Sequence, residues 1–356
     1  MKVTTEEVRN YILKTLDKLG MVKVERIIEV LKPGTTNDRL KIYRVIEGMQ
    51  KKRIIVSKKD KKERKKKVIK LTTAGIKMIH EGADEAEIMR RFIRSRDEDE
   101  IIQTSEIYYE LRGAGVKAED IKLRKEALTA LKQTPIENQI KILANINNKQ
   151  YAIFYRDQRE KEKIKKSITN IIQSTGIISG IIIVYDNESF LRRDMEDMLN
   201  TAITISELYL TTIEGIKEVV DYIKNNGIRS KVINHIMENY TGSEILKVTS
   251  PDIPIKYVWE RNGTKKGIVD ITNIKNIRDL NIMNKEHEEI LGINGIIIFV
   301  DRKGEIWRAV KLLQDKEKPI YIVLNEPVFH NIYQYKENTI YKMKIKTKEE
   351  KGMANQ

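Results

Sequence analysis

Apolar residues in the first eighty positions recur at helical spacing in three short bursts and then give way to two β-prone runs. Thr4 and Thr5 precede Glu6 and Glu7, and Val8, Tyr11, Ile12, Leu16 and Leu19 follow along one face. Hydroxyls at the cap and acids in the first turn satisfy and complement the exposed N–H groups of a helix start, and Gly20 is a natural stop. Val24, Ile27, Ile28 and Leu31 predict a second helix closed by Pro33-Gly34. Thr35 or Thr36 then caps a third, with Leu40, Tyr43, Ile46 and Met49 expected on its inward face. Arg53 to Ser57 and Val68 to Leu71 flank a polar tip and predict a hairpin, after which Leu71-Thr72-Thr73-Ala74-Gly75 opens a helix running from Ile76 to about His80. Helices this short cannot each bury a face alone, so residues 1–80 are expected to pack as one unit.

The texture changes twice further on. Residues 81–104 form a charged stretch in which Met89, Phe92 and Ile93 make one narrow apolar stripe, and a helical connector or dimer seam is expected there. From residue 105 strands and helices alternate, which predicts a layered α/β architecture with a mainly parallel sheet. Tyr151 to Tyr155, Gly180 to Tyr185 and Glu207 to Leu210 read as strands with helices between them. A second passage echoes the first. Gly176-Ile-Ile-Ser-Gly-Ile-Ile-Ile-Val-Tyr-Asp186 resembles Gly292-Ile-Asn-Gly-Ile-Ile-Ile-Phe-Val-Asp301, Tyr151 to Tyr155 corresponds to Gly267 to Ile271, and Glu207 to Leu210 corresponds to Ile320 to Leu324. Two related α/β units are therefore expected, at 105–228 and 229–341, with a basic disordered tail at 342–356.

Charge sharpens this division. The net charge is +15, yet residues 1–80 hold 23 Lys/Arg against 9 Asp/Glu, while the other 276 residues hold 44 against 43. A basic domain beside a neutral one implies a localised polyanionic partner. The chain has no cysteine, which excludes thiolate metal sites, disulfides and cysteine nucleophiles and suits a reducing cytoplasm. The longest apolar runs are strand-sized, and Met1 to Glu7 carries no signal-peptide core, so a cytoplasmic protein with no membrane partner is expected.

Three short helices, a hairpin and Leu-Thr-x-x-Gly together resemble the winged helix-turn-helix families of bacterial regulators and plasmid proteins, over about 75 residues. The resemblance implies that the third helix enters the major groove of double-stranded DNA with Asn37, Arg39, Lys41 and Arg44 near base edges, where Asn and Arg can contact adenine and guanine through two bonds at once. The hairpin lysines and arginine, Lys58, Lys59, Lys61, Lys62, Arg64, Lys65, Lys66 and Lys67, would hold phosphates without reading sequence. Such a unit can also serve protein contacts alone, with the charged hairpin merely solvated. Homodimerisation would double the short site that a single reader covers.

Catalytic templates fare poorly. No Gly-x-x-x-x-Gly-Lys-Ser/Thr or Gly-x-Gly-x-x-Gly loop is present, and His80, His235, His287 and His330 are isolated in sequence, so no cofactor and no metal is expected. One constellation points the other way. Pro251-Asp252, a hairpin turning at Asn262-Gly263, and Asp270-Ile271-Thr272 follow the order by which restriction-endonuclease-like folds hold Mg²⁺, but Thr272 stands where that motif has lysine. The expected fold is thus an α+β N-terminal winged helix-turn-helix followed by layered α/β domains, read as two related restriction-endonuclease-like units without a complete catalytic motif. The whole layout resembles the replication-relaxation family, which implies a role in plasmid replication or mobilisation alongside other replication, transfer or transcription proteins. The leading expectation is sequence-specific DNA binding without catalysis, in transcription control or at a replication or transfer origin. A metal-dependent nuclease using Asp252 and Asp270 is one alternative. A regulator sensing a small ligand near Asp186 or Asp301 is another.

Overall fold

Thr4 acts as a helix cap: its hydroxyl accepts the N–H of Glu7 at 3.2 Å, and the Glu7 carboxylate accepts the N–H of Thr4 at 2.7 Å. This is the start of α1 (Thr5–Leu19) in a computed structural model that describes residues 4–60, 63, 65–91, 93, 97–132, 139–156, 164–170, 178–191, 194, 207–239, 242–249, 253, 255–270, 272, 276, 280, 283, 285–300, 319–325, 330–336 and 339–342. Helix α1 buries Val8, Ile12, Leu16 and Leu19 and stops at Gly20, whose φ is +78°. A three-residue strand β1 (Met21–Lys23) follows at once, then α2 (Val24–Leu31), α3 (Thr36–Lys51), the hairpin β2 (Ile55–Lys59) and β3 (Lys67–Leu71), and α4 (Thr73–Ile79). Strand β3 lies in the middle of an antiparallel sheet, between β1 and β2. The sequence pattern shows the hairpin but not β1, which is too short to alternate.

The chain divides into two units, Met1–Gly113 and Ala114–Gln356. The first runs past the boundary that the change in texture suggests at 104/105. Helix α5 (Glu85–Arg91) and then α6 (Glu98–Gly113) belong to it. Ile102 of α6 packs with Met21 of β1 and Val68 of β3, with Ile93 and Ile101 beside them. The stretch expected to be a connector thus completes a core that the first eighty residues leave open.

The second unit holds two sheets. β4 (Ile121–Leu123), β5 (Ile142–Ile146), β6 (Lys149–Arg156), β7 (Gly180–Tyr185) and β8 (Glu207–Thr212) form the first, in that order. The second contains β9 (Glu244–Lys247), β10 (Tyr257–Arg261), β11 (Thr264–Asp270), β12 (Ile296–Val300) and β13 (Ile320–Asn325), extended by β14 (His330–Lys336) and β15 (Thr339–Lys342). Neither sheet is mainly parallel. In each, an antiparallel meander of three strands is followed by two parallel pairings, β6–β7–β8 in one and β11–β12–β13 in the other. In each meander one connection is a two-residue hairpin; the one at Asn262-Gly263 is legible in the sequence, whereas the one at Asn147-Asn148 escapes a reading keyed to βαβ alternation. Asn147-Asn148 and Asn262-Gly263 all have φ between 48° and 72°, the left-handed backbone such tight hairpins demand.

Register supports the likeness but moves two of its strands by one residue from the sequence echo, with Ala152 rather than Tyr151 corresponding to Gly267 and Leu208 rather than Glu207 to Ile320. Ala152 pairs Ile181 and Ile181 pairs Leu208, as Gly267 pairs Ile296 and Ile296 pairs Ile320. Corresponding positions face corresponding cores. Phe154, Ile181, Ile183, Leu208 and Leu210 join one cluster with α7 (Arg124–Ala130), and Val269, Ile296, Ile298, Ile320 and Ile322 join the equivalent one. The other face of the second sheet, at Ile268, Ile297, Phe299 and Val323, is covered by Ile228 and by Val232 and Ile236 of the helix Ser230–Asn239.

Candidate nucleic-acid interface

Helix α3 begins at Thr35, whose hydroxyl accepts the N–H of Asp38 at 3.1 Å. It turns Ile42, Val45, Ile46 and Met49 inward and leaves Leu40 and Tyr43 45% and 39% exposed. The expected inward stripe is therefore corrected by two of its four residues. Leu40-Tyr43-Ile46-Met49 and Ile42-Val45-Ile46-Met49 share their second half, and burying the second set places β-branched side chains in the core and the phenol outside. Asn37, Arg39 and Arg44 are exposed and Lys41 is half-buried.

At about 100° per residue these four do not share one line. Asn37, Lys41, Arg44 and Gly48 form one stripe, and Arg39 sits on the opposite flank, roughly 140° from Arg44 around the axis. Leu40, Tyr43 and Glu47 occupy the centre of the exposed face. The Asn37 stripe faces Thr5 and Arg9 of α1 across a cleft of about 510 Å³, which Lys52 also lines and whose apolar lining comes from Leu40, Val45, Met49 and Ile54.

The hairpin next to α3 is less uniformly available than its composition suggests. Lys59, Lys65 and Lys67 are exposed. Lys66 pairs with Glu63 at 2.5 Å. Lys58 pairs with Glu98 of α6, which is 3% exposed and also holds Lys70 at 2.8 Å. Lys61, Lys62 and Arg64 lie outside the described residues. The two acids of the hairpin turn toward Lys23: Glu63 at 2.5 Å and Asp60 at 3.5 Å, with Glu106 of α6 at 3.5 Å. Burial opposes the charge on Lys23, but Glu63, Glu106 and Asp60 together outweigh it and raise its pKa. The Lys23 and Lys66 partners in turn hold the Glu63 carboxyl below its ordinary range. Arg26 of α2 joins the same network through Glu106 at 3.1 Å and Glu110 at 2.5 Å.

Counting only to residue 80 thus overstates the local excess. The first unit as folded holds 28 Lys/Arg against 19 Asp/Glu, and the second holds 39 against 33. Positive charge remains denser in the first unit, and it surfaces on the α3 stripe and the hairpin tip. The acids of α6 are the surroundings of the hairpin that the sequence reading misses, because it takes residues 81–104 for a helical connector or dimer seam and their cationic partners lie far off in the chain.

In the second unit Asp270 ends β11 and is 2% exposed. Its Oδ2 accepts the Arg229 side chain at 2.7 Å and the Arg229 backbone N–H at 3.1 Å, while Oδ1 accepts the Thr272 hydroxyl at 2.7 Å and its N–H at 3.0 Å. Asp252 and Asp301 lie outside the described residues, and Asp186 is exposed, bonded to the Tyr155 hydroxyl at 2.8 Å. Among the described residues no three acids or histidines converge as metal ligands would. No helix among them is long and apolar enough to cross a membrane.

No family model matches the chain, and no curated protein matches it. Among solved structures, that of the restriction endonuclease FokI is similar to it at 11% identity, over 64% of this chain, with a TM-score of 0.24. The chain spans 45% of that protein's length.

Proposed function

We propose that residues 4–80, buttressed by α6, are a winged helix-turn-helix that binds double-stranded DNA and reads its sequence. One observation carries this reading. The stripe Asn37–Lys41–Arg44 of α3, with Asn37 and Arg44 exposed and Lys41 half-buried, and the exposed hairpin lysines Lys59, Lys65 and Lys67 belong to one small, positively charged unit. Side chains able to bond base edges and side chains able to hold phosphates are both needed for sequence reading, and each set is present. Leu40 and Tyr43 add apolar surface suited to thymine methyl groups on the same face. In the second unit, the engagement of both Asp270 oxygens by Arg229 and Thr272 favours binding without nuclease chemistry there. The process served would be transcription control, or plasmid or phage replication or transfer-origin marking.

Selection of genomic fragments by the full chain at about 150 mM salt tests the reading, since nonspecific phosphate binding is much reduced there. Enrichment of one locus is expected, and its position names the process; uniform recovery of all fragments would overturn sequence reading. Replacing Lys59, Lys65 and Lys67 together by Ala is expected to weaken binding to every duplex alike. It should also lower the slope of log affinity against log salt by about 2–3, close to one for each phosphate that is no longer neutralised. An unchanged slope would remove the hairpin from the interface.

A further inference from the structure

The cleft beside α3 has a form that duplex recognition does not require. Its two walls are helical stripes, Thr5 and Arg9 from α1 and Asn37, Lys41 and Arg44 from α3, and the glycine that continues the second stripe leaves a gap. A Cβ built on Gly48 meets nothing within 4 Å, so there is room beside that residue for a side chain or a ligand. Arg9, Lys41, Arg44 and Lys52 line the cleft against a single acid, Asp38, whose carboxylate already accepts the Thr35 hydroxyl at 3.0 Å. Glu7 of α1, held in its capping bond with Thr4, also feels the Lys41 charge, so Arg9, Arg44 and Lys52 carry the surplus. Leu40, Val45, Met49 and Ile54 supply an apolar lining. A volume of about 510 Å³ is far larger than one phosphate needs and falls in the range of about 300–1,000 Å³ typical of small-molecule sites.

We propose that this cleft binds an organic phosphate of nucleotide size, its apolar ring against Leu40, Val45, Met49 and Ile54 and its phosphates among Arg9, Lys41, Arg44 and Lys52. Asn37, Lys41 and Arg44 belong to both the cleft and the DNA-reading stripe, so an occupied cleft withdraws them from the duplex. This second step rests on the DNA reading; the site itself does not. Free nucleotide and DNA backbone offer the same phosphate chemistry, and the measurements below separate them.

The test is calorimetric titration of the full chain with ADP, adenosine and pyrophosphate, without DNA, followed by duplex titrations with and without ADP. ADP is expected to bind, with adenosine and pyrophosphate each at least about tenfold weaker, since each lacks one half of the recognition. Gly48→Leu extends into the cleft from a half-buried helical position and is expected to abolish ADP binding while circular dichroism shows the helix content intact. Arg9→Ala, away from the exposed face of α3, is expected to weaken ADP about tenfold, as expected for removing one charge-assisted bond. Saturating ADP is expected to weaken duplex binding by about tenfold. No ADP binding at millimolar concentration, or binding unaltered in Gly48→Leu, overturns the site. Loss of DNA affinity in Gly48→Leu without any ADP binding also overturns it and assigns the cleft to a backbone phosphate. ADP binding in a chain that ignores DNA upholds the site and defeats the DNA reading instead.

Discussion

Single residues explain why the Leu-Thr-x-x-Gly run has its particular composition. The Thr72 hydroxyl accepts the Gly75 N–H at 3.1 Å to cap α4, and it also donates toward the carbonyl oxygens of Arg53 and Ile54. A Cβ on Gly75 would lie 2.1 Å from the Ile54 carbonyl oxygen, so α4 packs against the start of the hairpin only through a residue without a side chain. Gly75→Ala is expected to destabilise the first unit by about 1–3 kcal/mol, the range for forcing a backbone shift in a packed site. Denaturant unfolding measures it, and a loss under about 0.5 kcal/mol would mean that α4 moves freely. At α3 the position around the helix decides the outcome. Arg44→Ala is expected to relax discrimination at one base pair by about 1–3 kcal/mol, whereas Arg39→Ala on the opposite flank lowers affinity for all sequences alike. Binding measured on a panel of single-substitution duplexes distinguishes these outcomes, and the reverse pattern would place the other flank of α3 in the groove.

Among the elements, α6 has the largest consequence for the hairpin. Glu98 is nearly removed from water and holds two hairpin lysines, Lys58 and Lys70, while burial alone depresses the pKa of Lys70. Glu98→Ala would remove the Glu98 carboxylate from Lys70, which is little exposed and keeps its bond to the Ile93 carbonyl at 3.1 Å. The expected cost is about 3 kcal/mol, at the low end for breaking a buried pair because Lys58 keeps about a third of its surface in water. Glu98→Gln should cost less, since the amide oxygen still accepts one bond. Equal losses for the two variants would show that packing, not charge, fixes the hairpin. Legibility follows the same line. Caps and helix stops at Thr4, Gly20 and Thr35 are readable because each depends on neighbours four residues away at most, whereas the last helix of this region starts three residues earlier than its apolar residues suggest, at Thr73 behind the Thr72 cap. The role of α6 is not readable, because its meaning lies in partners 28 and 40 positions distant in the chain. Strand β1 escapes for a related reason, as three residues acquire their β character only from pairing with β3.

For the whole molecule, the repeated sheet shows how one backbone plan diverges. The glycines at the start of β7 and just before β12, Gly180 and Gly295, are legible as part of the echo, and close approach explains them: an added Cβ would lie 2.8 Å from Glu207 Cβ in one and 2.9 Å from the Pro319 carbonyl in the other. The side chains around them part ways and are not predictable from isoleucine-rich strands. In the second sheet Lys266 lies over the Tyr321 ring, 4.1 Å from its centre. In the first, Glu207 accepts bonds from Lys149 at 2.7 Å, Tyr151 at 2.7 Å and Tyr209 at 2.6 Å. Burial pushes the Glu207 carboxyl upward, but those three donors outweigh it and hold its pKa below the ordinary 4.5. A carboxyl depressed on folding contributes stability that is present in full above its unfolded pKa and is lost as pH falls through its folded value. The second unit is therefore expected to lose stability below about pH 4.5, where Glu207 begins to take up a proton in the unfolded chain. Glu207→Gln should cost about 1–2 kcal/mol at pH 7, a modest figure because Lys149 is half exposed, and should flatten the fall in stability over the interval just below pH 4.5. Urea unfolding of both chains across that interval decides the point. Parallel curves would mean that other carboxylates dominate the acid limb and that the tyrosine pair holds Glu207 no better folded than unfolded.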